Sequence, residues 1–376
     1  MQIHQINLQR HFGGGEVYTA FLCRALDQLG ISTRLHVHKD AHFWGHLNLP
    51  ESTLLIPSNS IQEIASSVPN IPAWFLGHGP LPETLCRRLH SSGGIATAIA
   101  HMPVQGRNPN VFRCHDRVFG VSRWVVEGLI TAGLPAWPTP LYGVANLERN
   151  HQASQLRRRS RYDWDLRKGR DRILSWFEPL IDSLLPHPIY ARNTGLTLGI
   201  VSRITPIKQF PLLFSYLAPV LSRFPTINIE IFGSGGYGSV RDLTNALKPI
   251  AGRTRFWGHQ SDVAAVYQGI DFLLTGLPEK EALGLNVIEA QVCGTPIIAP
   301  AAPPFTETVV DGVTGFFYRD PRVDGGEDFA RLMLKLTTNA KILHPDLAED
   351  HMKKFSFDAF VERLVPIAEW AKGRLG

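Results

Sequence analysis

The chain has 376 residues, of which 44% are hydrophobic and 19% charged, enough for two cores of ordinary domain size and too apolar for a disordered chain. Its net charge of +5 is concentrated: residues 157–172 hold eight Arg/Lys against three Asp, which is the whole excess. Cys23, Cys86, Cys114 and Cys293 are scattered with no C-x-x-C pair, which excludes a disulfide framework and a zinc knuckle.

The opening "MQIHQINLQRHFGGGE" has no basic region followed by an apolar one, and no charge-free apolar stretch approaches the ~18 residues of a membrane span. A cytoplasmic protein is expected. From there, short apolar runs alternate with stretches of helical period, the pattern of a parallel sheet covered by helices. "QIHQINL" reads as a strand and Glu16 to Leu29 as a helix. "TRLHV", "TLLIP", "AWFLG", "IATAIA" and "RVFGVS" read as further strands, with a helix from Arg123 to Ala132.

Residues 146–194 break the alternation. The basic run "RRRSRYDWDLRKGRDR" is followed by "ILSWFEPLIDSLLPHP", whose apolar residues at 173, 177, 180, 181 and 184 recur at helical spacing. The alternation then resumes with strands "LTLGIVS", "INIEIFG", "RFWG", "FLLTG" and "PIIAP" and helices at 210–223, 238–248, 262–270 and 285–293. Ser261 and Asp262 form a helix start, and Gly294 with Pro296 a helix stop. Phe357, Phe360, Val361, Leu364, Val365 and Trp370 share a last helical stripe, which Pro366 is expected to interrupt. The fold class is therefore α/β, two Rossmann-like doubly wound parallel-sheet domains. The expected division is 1–150, then a linker region with a basic, amphipathic arm over 151–194, then 195–355, then a C-terminal helix over 356–376 that can pack back on the first domain.

Ligands of open α/β sheets bind beyond the carboxyl ends of the strands, and the unusual residues lie there. Gly13, Gly14 and Gly15 follow the first strand and open a helix, so backbone N–H groups can approach an anion closely. A tight strand-to-helix turn explains the same glycines. "VSRITPIKQF" sets Arg203 and Lys208 across a Pro-containing turn, a planar fork and a point charge that both suit phosphate oxygens, or a solvated loop. Gly233 lies in a third glycine-rich strand end, "IFGSGG". In "EALGLNVIEA", a helix starting near Leu285 leaves Glu281 in the preceding loop and Glu289 about one turn inside, flanking the first-turn N–H groups. Carboxylates so placed suit vicinal hydroxyls of a sugar. A favourable helix-dipole contact would account for Glu289 but not for Glu281.

The combination of GG-x-E at 13–16, Arg203 with Lys208, and E-x7-E from Glu281 to Glu289 followed by "AQVCGTPIIA" resembles the family 4 retaining glycosyltransferases of the GT-B fold. "VSRWVVEGLITAGLP" and "PLYGVANL" resemble the family's Ser-containing strand end, helix and closing turn. The resemblance covers nearly the whole chain outside 147–194. It implies two domains facing each other across a cleft and a retaining, metal-independent, hexosyltransferase-like enzyme that uses a nucleotide-diphosphate sugar as donor. By the same resemblance Glu289 binds the ribose, Glu281 the donor sugar, and Arg203 and Lys208 the diphosphate. Gly13 and Gly14 approach the diphosphate, backbone amides near Leu285 and Asn286 complete the cradle, and His101 of "ATAIAHMP" lies close to the reacting sugar. The leaving phosphate takes the acceptor's proton, so neither glutamate is a nucleophile. The chain departs from the family in "TGLPEKE", where Glu279 rivals Glu281, in "APPFTE" before Glu307, and in "YGVAN".

The resemblance extends to partners: a glycan or lipid-linked acceptor in cell-envelope polysaccharide or lipopolysaccharide assembly, and no nucleic acid. The arm supports three readings: a solvated insertion, an interfacial element that holds the protein peripherally at an anionic membrane through residues 157–185, or a polyanion site. The last would make the chain a non-catalytic protein that binds an anionic polymer. "DWD" at 163–165 lies inside the arginine run and is not expected to hold a metal, and His36, His38, His42 and His46 lack a metal-ligand spacing.

Overall fold

Two six-stranded parallel sheets organise the chain. The structure, a computed structural model, describes residues 1–68, 71–145, 147, 155–164, 169–184, 188–338 and 343–376. The boundary expected at residue 150, Asp165 of "DWD" and residue 185 at the end of the arm lie outside the described residues. The chain forms two compact units, Met1–Ala145 with Lys353–Gly376, and Asn146–Met352.

In the first unit β1 (Gln2–Asn7), β2 (Ser32–His38), β3 (Thr53–Ser58), β4 (Trp74–Gly77), β5 (Ile95–Ala100) and β6 (Arg117–Gly120) run in the order β3-β2-β1-β4-β5-β6. Ile3 of β1 sits opposite Thr33 on one side and Trp74 on the other. All of "IATAIA" is buried in β5, the continuous apolar run of a strand covered on both faces. His36 and His38 are buried packing residues of β2, while His42 and His46 are exposed.

The C-terminal helix belongs to this unit. It runs unbroken from Phe357 to Leu375, through Pro366, against the expectation of an interruption. Pro366 is exposed and so is Glu362, four residues before it, so the carbonyl that loses its N–H donor faces water. The opposite face buries Phe360, Leu364, Ile367 and Ala371. Phe360 meets the Tyr18 ring edge-on at 5.6 Å.

In the second unit β7 (Leu196–Val201), β8 (Ile227–Phe232), β9 (Thr254–Gly258), β10 (Phe272–Leu274), β11 (Ile297–Pro300) and β12 (Gly315–Tyr318) run in the order β12-β11-β10-β7-β8-β9. Asp262 caps its helix as expected, its carboxylate accepting from the Ala265 amide at 2.9 Å. β12 is absent from the sequence reading. Its four residues, "GFFY", are too few to show alternation, and only pairing with β11 from Ile297↔Gly315 onward makes them a strand.

Part of the basic run is structural. Residues 155–164 lie along the edge strand β9 as an extended strap, so they are neither a linker nor a free insertion. The Arg159 amide donates to Trp257 O at 2.9 Å, Gly235 N to Arg161 O at 3.0 Å, and Asp163 N to Gly235 O at 2.8 Å. Gly258, at φ +68, makes room: a Cβ there would lie 2.2 Å from Ser160 O. Arg161 stacks over Phe256, and Arg255 over Trp257.

Beside the strap, the fully buried Glu230 carboxylate of β8 accepts from Arg255 Nε at 2.8 Å and from the Trp257 indole at 2.6 Å. Removing a carboxylate so placed leaves an indole N–H without an acceptor and a half-buried guanidinium, still bonded to Ala191 O, without its counter-charge. Glu230→Ala is expected to lower unfolding free energy by about 2–4 kcal/mol, read by urea denaturation. A loss below about 0.5 kcal/mol would mean that water replaces the carboxylate.

Candidate functional site

Strand order decides where chemistry can gather. In the second sheet the order reverses between β7 and β10, so the loops after these two strands leave in opposite directions and open a gap between them. The loop after β7 carries Arg203 and Lys208, and the loop after β10 carries Glu279 and Glu281.

Lys208 and Glu281 meet across that gap, with Nζ donating to Oε2 at 2.5 Å and both side chains partly buried. Two backbone features hold the loops together. Gly276, after β10, passes so close to Lys208 that a Cβ would lie 2.6 Å from its carbonyl. Gln209 adopts a left-handed φ of 53°, which turns the chain from Lys208 into the helix Phe210–Leu221. Arg203 is exposed, and its guanidinium has no hydrogen bond or ion pair among the described residues. Glu279 lies apart from this contact, paired with Arg322, which also holds Asp320.

The helix Leu285–Val292 starts on Gly284 at φ +78, with no side-chain cap. Its first amides, Leu285 and Asn286, point beyond the helix start without an intrahelical acceptor. The Asn286 side chain donates to Val201 O at 3.1 Å, pinning the helix to the end of β7. One turn along, Glu289 Oε2 accepts from the Tyr267 hydroxyl at 2.9 Å. Burial pushes the Glu289 carboxyl above its ordinary value, and the Tyr267 hydrogen bond opposes the rise. Tyr267 itself is buried and escaped the sequence reading, because its role depends on a contact 22 residues away.

Gly233 contributes closeness and no donor. Its amide donates to Gly258 O at 2.8 Å, and its φ of 146° places it where a Cβ would meet Ser202 O at 1.9 Å. Gly233, a candidate ligand-binding glycine at its strand end, thus has its own amide occupied within the fold.

The first sheet reverses order between β1 and β4. Beyond these ends lie Gly13, which caps the helix Gly14–Gln28, and Gly14. A Cβ on Gly15, in the first turn of that helix, would meet nothing within 4 Å. His101 follows β5, and His78, which sequence reasoning missed, follows β4. His78 Nδ1 lies 3.2 Å from His101 Nε2. Burial pushes His101 down to about 4, so its ring is neutral at physiological pH. The signal for His78 was available: a polar residue directly after an apolar strand, as at His101. Cys86, Cys114 and His115 also cluster, but His115 uses both nitrogens, accepting from Leu81 N at 3.0 Å and donating to Phe112 O at 3.1 Å.

Residues 188–350 match the family described as glycosyl transferases group 1. A D-inositol 3-phosphate glycosyltransferase of Salinispora tropica is 30% identical over 190 residues, 46% of this chain and 38% of the relative. One of Mycobacterium leprae is 29% identical over 180 residues, 46% of this chain and 41% of the relative. The chain thus spans about two fifths of the length of these curated relatives. Among solved structures, Anabaena Alr3699/HepE in complex with UDP and glucose superposes with a TM-score of 0.69 at 14% identity, covering 98% of this chain and 99% of that one. The lipopolysaccharide outer core galactosyltransferase WaaB in apo form gives 0.64 at 13% identity, covering 98% and 100%. The fold is that of the GT-B glycosyltransferases.

The Tyr267 contact can be tested by stability. Tyr267→Phe is expected to cost about 1–2 kcal/mol at pH 7.5, where Glu289 loses its donor. The cost should be smaller at pH 5. The folded pKa of Glu289 is raised, so lowering the pH protonates it and relieves the unpaired charge. Equal losses in urea denaturation at both pH values would show that the hydroxyl does not serve the carboxylate.

Proposed function

We propose, from the membership of residues 188–350 in the glycosyl transferases group 1 family, that this chain transfers a hexose from a nucleotide-diphosphate sugar to a glycan or lipid-linked acceptor. The anomeric configuration is retained, and the step belongs to envelope polysaccharide or lipopolysaccharide assembly. The observation that carries the reading is the Lys208–Glu281 contact across the β7/β10 gap. An ammonium with two further donors lies there beside a carboxylate that can accept sugar hydroxyls.

In this reading the diphosphate takes Lys208, Arg203 and the amides of Leu285 and Asn286, while Glu281 and Glu289 accept hydroxyls of the donor sugar and the ribose. Cleaving the sugar–phosphate bond builds negative charge on the leaving oxygens, and fixed cations and N–H dipoles stabilise that charge more than they stabilise bound donor. The departing phosphate takes the proton of the attacking hydroxyl on the same face of the sugar. The first unit serves the acceptor. UDP sugars are the first donors to try, because several similar structures were solved with UDP.

Incubation with a panel of UDP sugars should release UDP. Lys208→Ala and Arg203→Ala should each slow release by at least a hundredfold, and excess EDTA should not, because the charge-neutralising groups are side chains. Failure to turn over any nucleotide sugar, together with retention of an anionic polymer, would replace this reading with the non-catalytic binding protein.

A peripheral membrane position has its own support. The helix Gly169–Leu184 exposes Ile173, Leu174, Trp176 and Phe177 on one side, Trp176 at 77%, directly after the basic run. Among the described residues no helix is long and apolar enough to cross a membrane. An apolar stripe beside cations suits an anionic lipid interface. Binding to vesicles containing anionic phosphatidylglycerol should fall at least fivefold on Trp176→Ser and should weaken with salt. Unchanged binding would leave residues 155–164 with the structural role of the strap alone.

A further inference from the structure

β4 and β5 are neighbours in register, with Gly77 opposite Ala98, and each is followed shortly by a histidine. The two rings stack at 15°, with centroids 5.4 Å apart, and His78 Nδ1 faces His101 Nε2 at 3.2 Å. Two unprotonated nitrogens at that separation repel, so one must carry hydrogen. What lies behind His78 decides which.

His78 Nε2 is 2.8 Å from Gln5 Oε1. A carbonyl oxygen only accepts, so Nε2 holds the hydrogen of His78. On its other side the Gln5 amide nitrogen donates to Cys23 Sγ at 3.4 Å. Burial pushes the Cys23 thiol up to about 12, so this sulfur stays protonated and uncharged. His78 is held neutral as well, its value pushed well below the ordinary one by burial and by His101. A neutral His78 with hydrogen on Nε2 has a bare lone pair on Nδ1.

Thr19 does not replace the missing donor. Its hydroxyl stands 3.1 Å from His78 Nδ1, donates to Gly15 O at 2.8 Å, and accepts from Asn7 Nδ2 at 2.9 Å. Whichever way that hydroxyl turns, His101 Nε2 still faces a lone pair and must itself be the donor. His101 Nδ1 then becomes the ring's acceptor, and it has no partner among the described residues. The ring cannot easily swing away: Tyr18 meets it edge-on at 4.9 Å and 89°, and the Tyr18 hydroxyl is anchored on Leu141 O at 2.9 Å.

We propose that His78 is a positioning residue: through the chain Gln5–His78–His101 it fixes His101 as the Nε2–H tautomer, so that His101 Nδ1 accepts a hydrogen bond from a hydroxyl of the polyhydroxy substrate. This rests on the proposed glycosyl transfer only for the identity of the ligand; the wiring of the two rings does not depend on it.

The test uses the full chain with ¹⁵N-labelled histidine. Long-range proton–nitrogen spectra should show His101 with hydrogen on Nε2 and none on Nδ1. His78→Leu should leave a mixture of tautomers and lower kcat at least tenfold, with donor KM within about twofold. His78→Asn, whose carbonyl can stand where Nδ1 stood, should keep the Nε2–H form and recover most of kcat. Gln5→Leu leaves both histidines in place and gives the same tautomer mixture if His78→Leu does not fold. A wild-type His101 with hydrogen on Nδ1 would mean that the chain is wired in reverse, from His78 toward His101, and would overturn the proposal. So would a tautomer, or a rate, that the His78 and Gln5 variants leave unmoved. Should no nucleotide sugar be turned over, the spectra still decide the wiring, and only the glycosyl-transfer reading falls.

Discussion

Reversal of strand order in the middle of each sheet is the constraint from which the rest follows. Once β7 and β10 lie side by side, the connections that leave them must diverge, and the backbone groups at their ends have no neighbouring loop to cover them. Lys208 and Glu281, 73 residues apart, meet for that reason. The first sheet repeats the arrangement with β1 and β4, and there the gap collects Gly13, Gly14, His78 and, from the next strand, His101. Neither set is a local motif. Each is a consequence of topology that short patterns in the sequence only mark.

Close approach of backbones is what turns those gaps into defined sites. Gly233, Gly235 and Gly276 each pass a neighbouring carbonyl at a distance no side chain would allow, with added Cβ atoms at 1.9, 2.1 and 2.6 Å from Ser202, Ile204 and Lys208 oxygens. The loop after β7 is thus bounded by the β8 loop on one side and the β10 loop on the other. Its side chains are set by rigid neighbours, which is the condition for placing a charge to within a fraction of an ångström. Asn286 adds a side-chain tie to the same strand end.

The larger elements were legible because their signals are long. Apolar runs such as "IATAIA" and "INIEIF" announced buried strands, and Asp262 announced its helix. β12 was not legible, since four residues carry no period and its existence depends on pairing with β11. Pro366 misled for the opposite reason: the local rule against proline in a helix is real, yet its cost falls on an exposed carbonyl that water can serve. The strap misled because charge dominated its appearance. Its backbone amides bond to Trp257 of β9, to Pro188 and to Gly235, and no composition reveals where a backbone amide will find its acceptor. In the site, the residues at strand ends were found, His78 excepted, while Tyr267 and Gln5 were not, because their partners lie 22 and 73 positions away in sequence.

The two glutamates of the E-x7-E block show why spacing alone understates a site. Both are carboxylates flanking one helix start, but their surroundings divide them. Glu281 is in the loop, partly exposed and matched to a cation, so any ligand that binds there competes with an ammonium for the same oxygen. Glu289 is deeper, matched to the neutral hydroxyl of Tyr267 on Oε2, with burial raising its pKa. A carboxylate anchored at one oxygen by a neutral donor keeps its orientation whether or not ligand is present, and its charge is costly until a second donor arrives. On the proposed reading, ribose hydroxyls supply that donor, so the binding of the nucleotide relieves a desolvated charge. The donor sugar, by contrast, enters by rearranging an ion pair. On that reading the deeper glutamate favours occupancy, and the shallower one favours discrimination among sugars, since only a hydroxyl in the right place offsets the loosened Lys208 contact.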